Sequence, residues 1–469
     1  MEQFDKVSVS KEELKKERTK KLSIKEGSAY SLMDGFGLRY ITPYALALGA
    51  NNSQISLLTS IPTLLGSVSQ LFTSRVMEKY SRKRLLIFSV FLQALMWLPM
   101  IAIGFFFFYK GLDSSVSSNL VILIYTILII FGAFLSPAWN SLMKDIVVEE
   151  KGKYFGKRNK ILGFIALASM LIGGFVLDYF KQTKLFIGFA IIFGAAFIGR
   201  AISAYLFTKH YEPELKLEKG YYFSFRQFLK KVPESNFGKF SVFVALIMFA
   251  TAIASPFFSV YMLKDLNMSY ITYTFIIISS SLSSFMFMPV WGKFADKYGN
   301  LRIIKITGFY IPLVPLIWLI SPLISGINQS LLLPYLFIME LLSGAMWAGF
   351  NLAVINFIYD AVTRQRVALC IAYYNVLGGV GIFFGATIGG FIASQNFVIF
   401  GLTPILFVFL LSGIARFAVY FAMISKIKEV REVEKFEEKS FRKEFRESVG
   451  KELREELMYF SYKWMRPSR

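Results

Sequence analysis

The stretch GKFADKYGNLR, residues 292–302, lies between two long apolar runs and decides how this chain is interpreted. A related stretch, SRVMEKYSRKR, residues 74–84, stands 218 positions earlier between two other apolar runs. Both copies have small, acidic and basic residues in the same order: Ser74, Glu78, Lys79, Ser81, Arg82 and Lys83 in the first, and Gly292, Asp296, Lys297, Gly299 and Arg302 in the second. The equal spacing predicts two copies of one structural unit.

The composition places the chain in a membrane. Of its 469 residues, 55% are hydrophobic and 17% are aromatic. That is more apolar surface than a soluble domain can bury, and many apolar runs reach the roughly 20 residues that cross a bilayer as a helix. The sequence therefore predicts an all-α membrane protein.

Charge and rare residue types argue against several other functions. The formal net charge is +21, but the basic residues fall between the apolar runs, so nucleic-acid binding is not expected. Cys370 is the only cysteine and His210 the only histidine, which excludes disulfide frameworks, Cys/His metal sites and Cys–His dyads within one chain. A phosphate-binding loop is absent, so ATP-driven pumping would need another subunit. We expect no metal, no cofactor and no enzymatic activity.

Twelve apolar segments, numbered 1 to 12 below, are predicted to cross the membrane as helices. They lie at roughly 28–49, 53–73, 85–109, 119–142, 161–180, 185–208, 240–262, 270–291, 303–324, 331–358, 375–394 and 401–425. They divide into two six-helix bundles, 28–208 and 240–425. A central loop at 209–239 joins the bundles, and an N-terminal segment at 1–27 and a basic tail at 426–469 flank them.

The basic residues predict the orientation. Nearly all of the 52 lysines and arginines fall in alternate loops and at the two ends, whereas the other loops hold Lys110, Lys181, Lys184 and Lys264. The inner-leaflet bias of basic residues then puts both termini in the cytoplasm of a protein in the cell membrane. Residues 1–27 lack the apolar core of a cleaved signal peptide.

Further pairs support a parallel duplication. Gly173 and Gly389, and likewise Arg200 and Arg416, are 216 positions apart, so segments 5 and 6 align with segments 11 and 12. The two basic stretches resemble the signature Gly-x-x-x-Asp-Arg-x-Gly-Arg-Arg, which joins helices 2 and 3 in the major facilitator superfamily of secondary transporters. Residues 137–159 resemble a poorly characterised prokaryotic branch of it. The resemblance implies two pseudo-symmetric six-helix bundles with a substrate site between them.

The resemblance also implies a gate on the inner side. Glu78 would meet the start of segment 11 and Asp296 the start of segment 5, where unpaired amides and the helix dipole attract an anion. The alternative is that the basic residues of the two stretches only anchor the topology. Glycines and serines are concentrated on segments 2, 5, 8 and 11. They predict surfaces on which the bundles slide, and static packing is the alternative.

Ionisable residues inside the apolar segments are candidates for substrate binding or coupling, because charge is costly there unless it faces protein or water. Segment 1 holds Asp34 and Arg39, and segment 10 holds Glu340. In a continuous helix Asp34 and Arg39 would lie about 140° apart and would not pair directly. The helix rise places Arg39 and Glu340 both near the membrane centre, so they are predicted to form a coupled pair there. Asp34 is either a second coupling group or part of a fixed structural ion pair.

Aromatic and amide side chains on segments 4 and 10 are further candidates. Trp139 and Asn140 lie on segment 4, and Trp347 and Asn351 on segment 10. They would contact an organic substrate, and the alternative is packing or anchoring at the membrane interface. For Arg200 on segment 6 we expect structural pairing or snorkelling to the membrane surface.

The tail is predicted to form an amphipathic helix. Its apolar residues recur at four-residue intervals: Phe441, Phe445, Val449, Leu453 and Leu457. The basic residues around them favour binding to anionic lipids of the inner leaflet, and a solvated or dimerising helix is the alternative. Residues 224–232 in the central loop predict a similar helix.

The predicted function is transport of a small molecule by alternating access, coupled to protons and carried out by a monomer. The alternative is a membrane receptor or scaffold on the same fold that transports nothing and signals through its tail. Charged residues within the membrane segments favour transport, because a scaffold needs none.

Overall fold

The computed structural model of the protein describes residues 11–77, 79–149, 151–181, 184–214, 224–363, 366–434, 444–451 and 454, and the structural statements below refer to these residues. They form helices joined by short connections. In chain order the helices are α1 (Lys11–Phe36), α2 (Ile41–Ala47), α3 (Asn52–Met77), α4 (Arg82–Leu95), α5 (Trp97–Lys110), α6 (Ser114–Ile146), α7 (Lys151–Phe180), α8 (Leu185–Thr208), α9 (Phe225–Lys231), α10 (Asn236–Ala254), α11 (Phe257–Val260), α12 (Tyr270–Tyr298), α13 (Asn300–Tyr310), α14 (Leu313–Trp318), α15 (Ser321–Ile327), α16 (Gln329–Ala361), α17 (Val367–Ala393) and α18 (Pro404–Met423). Residues 444–451 are also helical and are called the tail helix below.

Eleven helical stretches of the described ranges are long and apolar enough to cross a membrane, and they coincide with predicted segments 2 to 12. Several contain breaks. Segment 3 divides into α4 and α5, segment 7 into α10, α11 and a π-helical turn, and segment 9 into α13, α14 and α15. Pro256, Pro312 and Pro322 lie at breaks in segments 7 and 9, because proline lacks the backbone N–H that continues a helix.

Segment 1 differs most from its prediction. Its helix α1 begins at Lys11, well inside the stretch predicted as a polar N-terminal segment, and Thr19, Ser23 and Glu26 are buried there. The helix stops at Gly37, and a 3-10 turn leads into α2. A Cβ atom at Gly37 would collide with the indole ring of Trp97, so a glycine is required where these two elements meet.

The chain forms two compact units. Unit 1 comprises Met1–Gly220 together with Pro256–Thr274, and unit 2 comprises Tyr221–Ser255 together with Phe275–Arg469. The first turn of α12 therefore belongs to unit 1 and the rest of that helix to unit 2. Aromatic side chains form much of each core: Tyr44 packs against Phe189 and Phe193 in unit 1, and Phe240 stacks on Phe357 in unit 2.

Three glycines of α17 lie directly on the backbone of α10. A Cβ atom at any of them would collide with a carbonyl oxygen of that helix, and the pairs are Gly381 with Ala245, Gly385 with Phe249 and Gly389 with Ile253. These contacts lie within unit 2. They support the static packing of small residues for α17 and do not support the predicted sliding surface.

Candidate functional site

Asp34 and Arg39 form an ion pair in unit 1. The Asp34 Oδ2 atom lies 3.3 Å from Nη2 of Arg39. The prediction that these residues would not pair was wrong, because it assumed a continuous helix. The break after Gly37 turns the chain between them and lets the guanidinium reach back. The Arg39 side chain remains 45% exposed and that of Asp34 22% exposed, so both groups stay accessible.

Two tyrosines and a small cavity lie near this pair. Tyr30 and Tyr125 both lie within electrostatic range of Asp34 and Arg39. A cavity of about 140 Å³ adjoins the turn that carries Arg39, and its wall includes Tyr125 and the threonines Thr42 and Thr59. The cavity thus offers hydroxyl groups to a polar ligand, and the carboxylate and guanidinium of the ion pair lie near it but outside its wall.

Glu340 lies on α16 in unit 2 and is partly buried. The Ser280 hydroxyl on α12 and the Trp318 indole on α14 lie near its carboxylate. The helices are close here, because a Cβ atom at Gly344 would collide with the carbonyl oxygen of Ser280, and Ser284 Oγ donates to the Gly344 carbonyl at 2.9 Å. Glu340 is therefore held among neutral groups.

A carboxylate at the end of α7 caps the start of α12. Backbone N–H groups of Tyr270 and Ile271 donate to Oδ1 and Oδ2 of Asp178, each at 2.8 Å. The negative charge lies at the positive end of the helix dipole, which is a stabilising arrangement. All of these residues belong to unit 1, which includes the first turn of α12. Sequence reasoning missed Asp178, because an aspartate near a predicted loop carries no special signal.

A second contact joins the same elements deeper in unit 1. The Tyr40 hydroxyl donates to the Met170 carbonyl of α7 and lies 2.9 Å from Thr274 Oγ1 on α12. Gly174 permits this approach, because a Cβ atom there would lie 2.8 Å from Thr274 Oγ1. The predicted small residues of segment 5 thus bring α7 against α12.

The first basic stretch is built around Arg82, which is fully buried. Its Nη1 atom lies 2.6 Å from Asp145 Oδ2 at the end of α6, and its Nη2 atom donates to the Pro213 carbonyl at 2.7 Å. The backbone N–H of Lys83 donates to Glu212 at 3.3 Å, and Lys79 is exposed. Arg82 thus forms a structural ion pair with Asp145, in addition to any role as a topological anchor.

The other two predicted gate residues of this stretch are Ser74 and Glu78. Ser74 lies in α3 near its end, and Glu78 lies outside the described residues. The contact predicted for Glu78 therefore stays a prediction.

The second basic stretch forms the end of α12 and the turn into α13. Lys297 Nζ lies 2.9 Å from Oε1 of Glu444 in the tail helix, whereas Asp296 is exposed. Gly299 has φ +88°, a left-handed conformation that favours glycine. Gly292 and Arg302 are partly buried on either side of this turn. The contact predicted between Asp296 and segment 5 stays a prediction.

A buried polar cluster in unit 1 was only partly predicted. Arg200 lies 3.8 Å from Glu26, and Arg158 lies 3.7 Å from the same carboxylate. Gln93 accepts from Nε of Arg200 at 2.7 Å, and Ser203 donates to Glu26 at 2.7 Å. Structural pairing of Arg200 is thus confirmed. Glu26 and Gln93 were missed, because neither lies at a position where the pattern distinguishes it from an ordinary polar residue.

The two aromatic candidates pack against other side chains, whereas the two amide candidates are exposed. Trp139 packs against Phe155, and the Arg158 guanidinium lies 4.6 Å from its ring centroid. Trp347 packs against Phe350. Asn140 is exposed and lies 3.5 Å from Ser136 on its own helix, and Asn351 is exposed. The tryptophans fit the packing alternative, and the two amides remain available to a ligand.

Outside the membrane helices, His210 follows the end of α8 and is buried. Its Nδ1 atom lies 2.9 Å from the Leu206 carbonyl, so this nitrogen carries the proton. Burial, and then the charges of Lys83 and Arg158, lower the pKa of the imidazole.

Comparison with known proteins agrees with this architecture. The family model of the Major Facilitator Superfamily matches residues 27–324 and 240–462. An uncharacterized MFS-type transporter of Methanocaldococcus jannaschii is 26% identical over 276 residues, which are 57% of this chain and 67% of that protein.

Solved structures share the fold. A mutant of the nucleoside transporter NupG has a TM-score of 0.64 at 14% identity and covers 89% of this chain and 100% of its own. A bacterial homologue of the iron transporter ferroportin, in an inward-facing state, has a TM-score of 0.65 at 9% identity and covers 88% of this chain and 98% of its own. The chain belongs to the Major Facilitator Superfamily, and it is a multi-pass membrane transporter rather than an enzyme.

Proposed function

We propose that the protein is a proton-coupled secondary transporter that moves a small polar molecule by alternating access, as a monomer in the cell membrane with both termini in the cytoplasm. The observation that carries this proposal is the accessible ion pair of Asp34 and Arg39 in the predicted first membrane segment, near a small cavity of unit 1. Charges persist within a membrane segment when they serve a ligand or an ion, because their burial is costly.

The Asp34–Arg39 pair is the proposed substrate contact. A substrate with a charged group can replace one member of the pair, since the exposed guanidinium and carboxylate each keep free hydrogen-bonding positions. Tyr30 and Tyr125 would add hydroxyl or ring contacts. Asn140 and Asn351, both exposed, are secondary candidates for the same substrate.

Glu340 is the proposed proton carrier. Protonating Asp34 would remove the counter-charge that lies 3.3 Å from Arg39 and would weaken the charge-assisted contact between them. Glu340 has the neutral partners Ser280 and Trp318, so it can gain or lose a proton without leaving a cation unpaired. This assignment replaces the predicted Arg39–Glu340 pair by two separate sites.

Alternating access requires contacts that close one side at a time. With the predicted orientation, the Asp178 cap on α12 and the Tyr40–Thr274 contact lie toward the outer side and serve as the outer gate. The basic stretches at 74–84 and 292–302 would serve as the inner gate, through Glu78 and Asp296.

The test begins with purified protein in proteoliposomes. Thermal-shift screening against a library of metabolites and drugs identifies a stabilising compound, and uptake of that compound is then measured with and without an imposed pH gradient. We expect gradient-driven accumulation in the wild type. Glu340→Gln should abolish that accumulation and spare counterflow, which needs no net proton movement. The control Glu234→Gln changes an exposed carboxylate in the central loop and should behave as the wild type.

Two outcomes would contradict the proposal. A compound that stabilises the protein but never crosses the membrane, in either exchange mode, would support the receptor alternative. Full pH-driven accumulation by the Glu340→Gln variant would show that Glu340 does not carry the proton. Asp34 would then be the next residue to test.

A further inference from the structure

The segment after α18 folds back onto the second basic stretch. Three hydrogen bonds connect residues 427–434, called the strap below, to backbone groups of residues 293–301, which are the end of α12 and the turn into α13 and are called the turn below. Glu429 Oε2 accepts from the Leu301 N–H at 2.7 Å. Arg431 Nη2 donates to the Ala295 carbonyl at 2.8 Å, and the Glu434 N–H donates to the Lys297 carbonyl at 3.2 Å.

The strap supplies polar groups that the turn itself lacks. An amide at the start of a helix has no partner within that helix, and Glu429 satisfies the one on Leu301 at the start of α13. Arg431 also lies 3.2 Å from Asp360 Oδ2 at the end of α16, and Asn300 donates to that oxygen at 2.7 Å. A side chain at Gly299 would collide with the Glu429 carboxylate. The strap therefore fits the turn both through close packing at Gly299 and through its charged side chains.

The tail helix adds an apolar contact to this arrangement. Phe445 lies with its ring centroid 5.2 Å from that of Trp291 and 5.7 Å from that of Phe294, both on α12. Val449 packs against the same buried cluster. The predicted apolar stripe thus faces protein at these two positions, whereas Phe441, Leu453 and Leu457 lie outside the described residues.

Charge directs the same docking. The Glu444 carboxylate lies 2.9 and 3.0 Å from Lys297 Nζ through its two oxygens, and the Tyr298 hydroxyl lies 3.3 Å from it. Glu434 of the strap is 3.8 Å from the same ammonium. A single exposed ion pair contributes little, but two carboxylates on one lysine beside a packed aromatic ring fix one position of the helix.

We propose that residues 427–434 and the tail helix at 444–451 are a brace that docks on the inner end of α12 and restrains residues 293–301, so that the tail of the chain regulates the gate. In this proposal the tail covers Trp291 and Lys297 of α12 and does not lie on the lipid leaflet. The two basic stretches are then restrained differently, because the first is fixed by Arg82 and Asp145 within its own bundle. The consequence for transport rests on the proposed function, whereas the docking does not.

Hydrogen exchange with mass spectrometry tests the brace on the full chain in nanodiscs of zwitterionic phosphatidylcholine. Phe445→Ala removes the ring from α12, and Glu444→Gln removes the charge from Lys297. We expect exchange to rise about tenfold in peptides covering 444–451 and to rise also in peptides covering 293–301. Arg446→Ala and Glu447→Gln, on the exposed side of the same helix, are the matched controls and should leave both peptides within about twofold of the wild type.

Three outcomes would overturn the proposal. Unchanged exchange in 444–451 after both Phe445→Ala and Glu444→Gln would show that the helix is not docked. Faster exchange in 444–451 with no change in 293–301 would show docking without control of the turn. Loss of protection in 293–301 of the wild type, when phosphatidylglycerol replaces half of the phosphatidylcholine, would assign the tail to the anionic membrane surface. None of these readouts requires a transported substrate, so they are independent of a failure of the proposed function.

Discussion

The Asp34 carboxylate lies 3.3 Å from the Arg39 guanidinium, although the two residues are five positions apart on a segment that would place them on different faces of a regular helix. The break at Gly37 is the cause. A glycine is needed there because the Trp97 ring occupies the space of a Cβ atom. The close approach of Gly37 and Trp97 thus lies at the break that brings together the two charges that we propose as the substrate contact.

The Asp34–Arg39 pair should matter for binding more than for stability. Because Arg39 is 45% exposed, the double-mutant cycle of Asp34→Asn and Arg39→Gln should give a stability coupling below about 1 kcal/mol. Binding of the compound found by screening should weaken about tenfold in each single variant. Thermal unfolding and calorimetry measure the two effects. The exposed pair Glu12–Lys16 is the control, and a coupling above about 3 kcal/mol would instead indicate a structural ion pair.

Asp178→Asn should loosen the contact that we assign to the outer gate. The amide keeps one acceptor oxygen but loses the charge at the start of α12, which costs about 1 kcal/mol. A cysteine introduced at Thr42, in a Cys370→Ser background, should then react about fivefold faster with an impermeant maleimide from outside. Asp113→Asn removes an equivalent cap that lies within one segment, at Ser115 and Val116, and should not change that rate. Equal rates in both variants would refute the gate.

Gly385→Ala should separate α10 from α17. The added methyl group would collide with the Phe249 carbonyl oxygen, and overpacking against backbone costs about 1–3 kcal/mol. Gly378→Ala on the same helix has open space and should be neutral or stabilising by up to about 1 kcal/mol through helix propensity. Unfolding temperatures in detergent distinguish the two. Equal shifts of the unfolding temperature in both variants would mean that helix propensity, and not the contact with α10, determines the effect of alanine on α17.

Arg82→Ala should strongly destabilise unit 1. It removes the fully buried guanidinium and leaves the Pro213 carbonyl and the 36% exposed Asp145 side chain without their partner, which costs about 1–3 kcal/mol. Arg84 is exposed two positions later, and Arg84→Ala should change stability by no more than about 0.5 kcal/mol. Detergent-solubilised unfolding measures both. A small effect of Arg82→Ala would reduce this residue to a topological anchor.

The free energy of unfolding should fall at acidic pH, because His210 takes up a proton on unfolding. Burial lowers the pKa of its imidazole in the folded protein, so the unfolded chain binds a proton that the folded protein does not. The stabilising contribution is complete above the unfolded pKa of about 6.5 and is lost as the pH falls below it. His210→Asn keeps a donor for the Leu206 carbonyl and cannot titrate, so its unfolding temperature should change less between pH 8 and pH 5. An identical pH dependence would assign the effect to other groups.

The sequence by itself determined the membrane class, eleven of the predicted spans and the family. Those features follow from local patterns, because a bilayer demands long apolar runs and basic residues collect in the loops between them. The duplication was also visible, since Arg200 and Arg416 keep their spacing.

Only the tertiary structure decided which polar groups meet. Asp34 reaches Arg39 across a break at Gly37, where the Trp97 ring leaves no room for a side chain, and Arg82 pairs with Asp145 at the end of α6. The predicted membrane-facing stripe of the tail instead places Phe445 on α12. In each case a helix distant in sequence supplies the partner, and apolar periodicity along one segment carries no information about which distant segment will lie against it.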